Sequence, residues 1–269
     1  MWFRPNRFRT GFRRSDWPGG SAPVVPQARL WRDTPGAILA KKKEKRLRAG
    51  RLIAVALALY TGAFARDQLD AWIAATPLPP LTAETSVEVR DRHGELLRAY
   101  TVADGRWRLA ADPGAIDPLF TDMLIAYEDK RFYRHGGVDG LALARAAVQA
   151  LRHGEIVSGA STLTMQVARL IEDGPTGSLT GKARQVRLAL ALERKLSKAQ
   201  ILALYFDRAP YGGNTEGIRA ATRAWFAKPP RRLTAAEAAL LVALPQSPET
   251  RRPDRHAEAA RRARDRVLD

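Results

Sequence analysis

Glu128 and Asp129 stand side by side in the run Glu128-Asp129-Lys130-Arg131-Phe132-Tyr133-Arg134-His135-Gly136-Gly137. Paired carboxylates beside an aromatic, a histidine and several cations can move protons, because burial raises a carboxyl pKa while neighbouring cations lower it. At helical spacing Glu128, Phe132 and His135 fall at i, i+4 and i+7, on one face at the end of an amphipathic helix. The same residues also read as a helix end whose charges pair on a solvated face. A second run, Gly159-Ala160-Ser161-Thr162-Leu163-Thr164-Met165-Gln166-Val167-Ala168-Arg169, opens with a glycine that permits close backbone approach. Ser161 or Thr162 can cap the helix that follows, and that helix start, with Gln166 and Arg169, makes a phosphate-facing surface. Taken alone, it is equally an ordinary capped helix.

Three more runs follow. Gly181-Lys182-Ala183-Arg184-Gln185 through Glu193-Arg194 carries cations in its first turns and an apolar stripe behind them. Tyr205-Phe206-Asp207-Arg208-Ala209-Pro210-Tyr211-Gly212-Gly213-Asn214, with Gly217, is a glycine-rich turn between helices. Leu233-Thr234 through Leu244-Pro245-Gln246-Ser247-Pro248 is the last.

The elements that must position these residues are mainly helical. Apolar periodicity predicts helices near 118–134, 138–153, 161–172, 181–196, 198–207, 214–227, 234–244 and 254–269. Ser197 with Gln200 and Thr234 with Glu237 have capping-box spacing, and Pro229-Pro230 and Pro245 mark stops. Upstream, Val87–Arg90 and Glu95–Tyr100 flank Asp91-Arg92-His93-Gly94, a hairpin pattern with glycine at the turn. Pro77-Leu78-Pro79-Pro80 reads as a stiff linker before it. The last helix reaches Asp269 without a stop signal, so the chain is expected to be part of something longer.

Composition narrows the classes. The 269 residues include no cysteine, which excludes disulfides and zinc–thiolate sites, and the four histidines show no metal-ligand spacing. The net charge of +17 is uneven, with 14 Lys and Arg against 3 Asp and Glu in residues 1–51. That stretch reads as a disordered basic tail. It runs into the uncharged segment Leu52–Ala65, whose 14 residues span about 21 Å of helix, short of a membrane core of about 30 Å unless Arg51 and Arg66 snorkel. An uncleaved signal anchor with its basic side in the cytoplasm is one reading. A cleaved signal peptide ending at Ala63-Phe64-Ala65 is the other. A nucleic-acid-binding tail is a weaker third, and no nucleic-acid partner is expected.

In order, the five runs resemble glycosyltransferase family 51, the peptidoglycan glycosyltransferase domain of class A penicillin-binding proteins. Thr164-Met165-Gln166, the turn Arg208–Gly213 and Asp104-Gly105-Arg106-Trp107-Arg108 look most like the penicillin-binding protein 1C type. The resemblance implies a lysozyme-like, mainly α fold with an N-terminal membrane anchor and a small β-hairpin linker. Its expected organisation is a cytoplasmic tail over 1–51, an anchor over 52–75, a hairpin-bearing linker over 76–112 and the glycosyltransferase domain over 113–269. No Ser-x-x-Lys, Ser-x-Asn or Lys-Thr-Gly occurs, so no transpeptidase half is expected here. The implied substrates are lipid II and the growing glycan strand, at the inner (cytoplasmic) membrane with the domain in the periplasm, in company with other cell-wall synthesis proteins. The resemblance makes Glu128 the general base for an inverting transfer. It gives pyrophosphate contacts to Arg169 and Lys182, with Arg184 a further candidate. Asp129, Phe132 and His135 shape the first motif, and Gly159, Ser161, Thr162 and Gln166 line the donor cleft. A divalent cation such as Mg²⁺ assists in relatives, and no organic cofactor is implied.

One position departs from the pattern. Where the family usually carries a second catalytic glutamate, ungapped counting reaches Gln185, which can hydrogen-bond pyrophosphate or water but carries no charge and anchors a metal less well. Glu193, eight residues on, matches a second acidic position of the same motif. Two rivals stay open: a lytic enzyme on the same fold, which needs one acid but no cationic site, and a non-catalytic membrane-anchored scaffold.

Overall fold

The computed structural model describes residues 35–153, 161–172 and 178–269. Residues 1–34 of the basic tail and Gly159 lie outside the described residues. The chain divides into two units, residues 1–65 and 66–269.

Helix α1 spans Pro35–Ala74. It begins well before the predicted apolar segment and takes in the basic run Lys41–Arg48, because Ala, Leu, Lys and Arg are all strong helix formers. Its stretch Leu39–Ala74 is, among the described residues, the one helix long and apolar enough to cross a membrane. Leu52, Ile53, Leu59 and Phe64 are exposed along it. Its length and composition fit a membrane anchor. The helix stops before Pro77, whose ring disfavours helical geometry in the preceding residue. In the second unit, Arg187 stacks on the Trp72 ring, 4.4 Å from its centroid, and donates to the Trp72 carbonyl at 2.8 Å. Arg194 pairs with Asp70. Cations from elsewhere thus serve the open carbonyl end of α1.

The predicted hairpin forms as β1 (Glu88–Arg90) and β2 (Leu96–Ala99), antiparallel. Asp91 Oδ1 accepts from the His93 and Glu95 N–H groups at 2.8 Å, and Gly94 takes φ 83°. Strand β3 (Trp107–Arg108) pairs in parallel with β4 (Thr215–Glu216). The helix expected over 214–227 therefore starts later. Thr215 and Glu216 are extended, Gly217 has φ 85°, and a side chain there would meet the Asp207 carbonyl at 2.9 Å. The buried Glu216 carboxylate takes Arg106 at 2.7 Å and Arg108 at 3.0 Å. That ion-paired strand tie holds the segment before the helical body onto it.

The helical body contains α2 (Pro118–Glu128), α3 (Gly140–His153), α4 (Leu163–Ile171), α5 (Leu179–Lys195), α6 (Lys198–Arg208), α7 (Ile218–Phe226), α8 (Ala235–Ala243) and α9 (Ala257–Leu268). Both capping boxes form with reciprocal bonds. Helix α4 lies at the centre, with Leu163, Thr164, Met165, Val167, Ala168 and Ile171 buried. Only Gln166 and Arg169, three residues apart on one face, are left to look outward from its middle. The mainly α class with a small hairpin is as expected.

Candidate active site

Glu128 is the last residue of α2, and the helix breaks at Asp129, with φ −155° and ψ 71°. The expected helix to 134 is absent, and Glu128, Phe132 and His135 do not share a face. The reason is that Asp129 binds outside its own helix. Its carboxylate lies 3.0 Å from His135 Nε2 and accepts the Leu163 N–H at 2.9 Å. His135 Nδ1 accepts from the Gly137 N–H at 3.2 Å, which assigns the ring proton to Nε2. Phe132 turns into the core, fully buried, with Lys198 Nζ 4.4 Å from its ring centroid. Asp129, Phe132 and His135 thus form a brace behind Glu128.

The same brace fixes α4. Thr162 Oγ1 accepts the Met165 N–H at 3.1 Å as N-cap and donates to the Gly137 carbonyl at 2.6 Å. Gly137 has φ 97°, and a Cβ on it would lie 2.7 Å from the Ala189 carbonyl oxygen, so only glycine fits.

Each Glu128 oxygen accepts one amide N–H, from Gln166 at 2.8 Å and from Gln246 at 2.6 Å. Arg251 donates to Gln246 Oε1 at 2.9 Å and so orients its amide. Gln246 belongs to the fifth run, and its local pattern assigns it no role. Its partner is 118 positions away, a pairing that no local pattern encodes.

A cavity of about 220 Å³ opens at Glu128, walled by Ser161, Met165, Gln166, Arg169, Lys182, Gln185 and Gln246. On the other side of Glu128 and Ser161 lies a second cavity of about 550 Å³, with Lys130, Arg131 and Arg145 and the carboxylates of Asp129 and Asp139 in its wall. A cavity of about 600 Å³ between β2 and α7 has no carboxylate in its wall and lies apart from this chemistry. Lys182 and Gln185, three residues apart, project from α5 into the smaller cavity while Leu188, Ala189 and Leu192 pack behind. Lys182 Nζ donates to Ser161 Oγ at 2.5 Å. Burial, and then the neighbouring Arg169 cation, push its pKa below the ordinary lysine range. Among the described residues neither Lys182 nor Arg169 has a carboxylate partner. The groove therefore holds two uncompensated cations beside one amide-bound carboxylate.

Two predicted site residues face elsewhere. Arg184 pairs with Glu172 at 2.7 Å, outside the wall of the cavity. Glu193 accepts from Thr164 Oγ1 and Lys198 Nζ, each at 2.6 Å, and ties α4, α5 and α6 together. The donor set also does not fit the divalent cation the resemblance implies. Such ions take six or more oxygen ligands, and Mg²⁺ is held through one or two carboxylates and waters. Here one carboxylate is already engaged at both oxygens, and two cations stand across from it. Among the described residues no group of three or more acidic or histidine side chains is placed to hold a metal ion.

A family model described as transglycosylase matches residues 93–269. The chain belongs to the transglycosylase family. Among relatives of this transglycosylase, penicillin-binding protein 1C of Escherichia coli (strain K12) is 43% identical over 218 residues, 81% of this chain and 27% of that protein. Penicillin-binding protein 1A of Neisseria gonorrhoeae is 37% identical over 211 residues, 78% of this chain and 25% of that one. The chain thus spans about a quarter of the length of the curated relatives it matches. A solved structure of penicillin-binding protein 1A from Haemophilus influenzae aligns over 70% of this chain and 18% of its own at 17% identity, with a TM-score of 0.36.

Proposed function

We propose that this transglycosylase domain polymerises lipid II into glycan strands, with Glu128 as general base and inversion at the anomeric carbon. The observation that carries the reading is the groove itself: the Glu128 carboxylate stands at the junction of two cavities, and in the smaller one it is the single acid beside two cations that have no ion-pair partner among the described residues. The Glu128 carboxylate takes the proton of the acceptor's 4-hydroxyl, and the freed oxygen attacks the anomeric carbon of the donor. The bond from that carbon to the pyrophosphate oxygen breaks, and its electron pair leaves with the pyrophosphate. Lys182 and Arg169 face the charge that develops there, as preorganised donors do at a departing anion. Ser161 and Gln166 line the donor side, and the larger cavity beyond Glu128 has room for the acceptor sugars. The cations argue for a pyrophosphate-linked donor over the lytic reading, which has no use for them.

The anchor reading of α1, with the domain on the periplasmic side of the inner membrane, belongs to the same proposal, as do cell-wall synthesis partners. Incubating the chain with labelled lipid II in detergent tests it. Polymer supports the enzyme. Stable lipid II binding without polymer would show the scaffold reading to be right.

A further inference from the structure

Resting on the glycosyltransferase reading, we infer that Gln185 makes this a metal-free pyrophosphate site: its side-chain amide donates directly to a phosphoryl oxygen of the leaving group, alongside Lys182 and Arg169. Gln185 is 7% exposed and faces the small cavity, and among the described residues no partner accepts from or donates to its amide. The amide is reached from the cavity and is free to donate to what enters beside Lys182 and Arg169. Around it stand the donors of Lys182, Arg169 and Ser161, while the acceptor Glu128 is occupied by Gln166 and Gln246. That set suits an anion with many acceptor oxygens.

Charge decides against a metal bridge. The wall carries two cations and one carboxylate, so a glutamate at 185 would cancel the remaining positive charge and repel the phosphates unless a divalent ion joined them. The neutral amide removes both the repulsion and the metal's second anchor. As the anomeric C–O bond breaks, the electron pair moves onto the phosphoryl oxygens, where charge-assisted N–H bonds strengthen. Burial and then Arg169 lower the Lys182 pKa, and a bound anion would oppose that shift.

The test uses the full chain in detergent with EDTA present. Calorimetric titration with inorganic pyrophosphate should show binding to the wild type, and Gln185→Glu should weaken it about tenfold or more, the worth of a hydrogen bond to a charged group. Gln185→Leu, which keeps the volume but not the donor, should also bind more weakly while melting at the wild-type temperature. In lipid II polymerisation the wild type should run equally fast in EDTA and in Mg²⁺, whereas Gln185→Glu should be slow in EDTA and recover with Mg²⁺. The inference is overturned if wild-type polymerisation collapses in EDTA and returns with Mg²⁺, or if Gln185→Glu binds pyrophosphate as tightly as the wild type. A wild type that makes no polymer under any condition, yet binds pyrophosphate in the predicted order, would remove the enzymatic reading and leave this one standing.

Discussion

Lys182 and Arg169 line one small cavity, neither with an ion-pair partner among the described residues, and that arrangement has a pH signature. Because the Lys182 pKa is lowered, its proton leaves at a lower pH than from an ordinary lysine. The groove then loses one of its two cations, so pyrophosphate affinity should fall as pH rises through that depressed value. Lys182→Arg keeps its charge throughout and should hold affinity further into the alkaline range, as titrations across pH would read. Gln246 supports a second expectation. Gln246→Ala removes one of the two donors that orient Glu128, and turnover should fall by about tenfold while pyrophosphate affinity stays near wild type. The residues named from motifs divide accordingly. Glu128, Ser161, Gln166, Arg169, Lys182 and Gln185 converge on one cavity, and Asp129, Thr162, Phe132 and His135 hold it from behind.

The groove exists because α2, α4 and α5 meet at fixed register, and two small features set that register. Gly137 lets its loop pass so close to α5 that a Cβ would lie 2.7 Å from the Ala189 carbonyl oxygen, so Gly137→Ala should destabilise the fold by about 2 kcal/mol through steric overlap and a strained φ. Thr162 caps α4, and Thr162→Ala should lose about 1 kcal/mol, both losses being read from thermal unfolding in detergent. These elements were unevenly legible. Period and capping boxes gave α6 and α8 to within a residue or two, because local bonds decide where they start. The end of α2 was misread because Asp129 is claimed by Leu163 and His135, partners outside the helix. The start of α7 was misread for the same reason, since Glu216 is held by Arg108 from another part of the chain. Pattern reading fails where long-range polar bonds override the local period.

At the scale of the molecule, the segment before residue 113 belongs with the helical body and is more than a spacer. Arg108 and Glu216 are both buried and paired, Arg219 pairs with Glu88 of the hairpin, and the Ala111 N–H donates to Asp207 at 2.9 Å. Glu216→Ala would leave the buried Arg108 with Asp104, at 3.2 Å, as its remaining carboxylate partner and should cost about 3 kcal/mol, seen as a fall in melting temperature. Arg187 and Arg194 on α5 clasp the end of α1, and the same helix presents Lys182 and Gln185 to the groove. The whole arrangement converges on one proton transfer. The most direct measurement is Glu128→Gln, an isosteric change that keeps the bonds' reach but not the base, assayed for lipid II polymerisation and for pyrophosphate affinity together. Turnover should drop by about 10³-fold while pyrophosphate affinity is kept or raised, since a negative charge leaves the wall. Polymerisation at the wild-type rate would contradict the account at its centre.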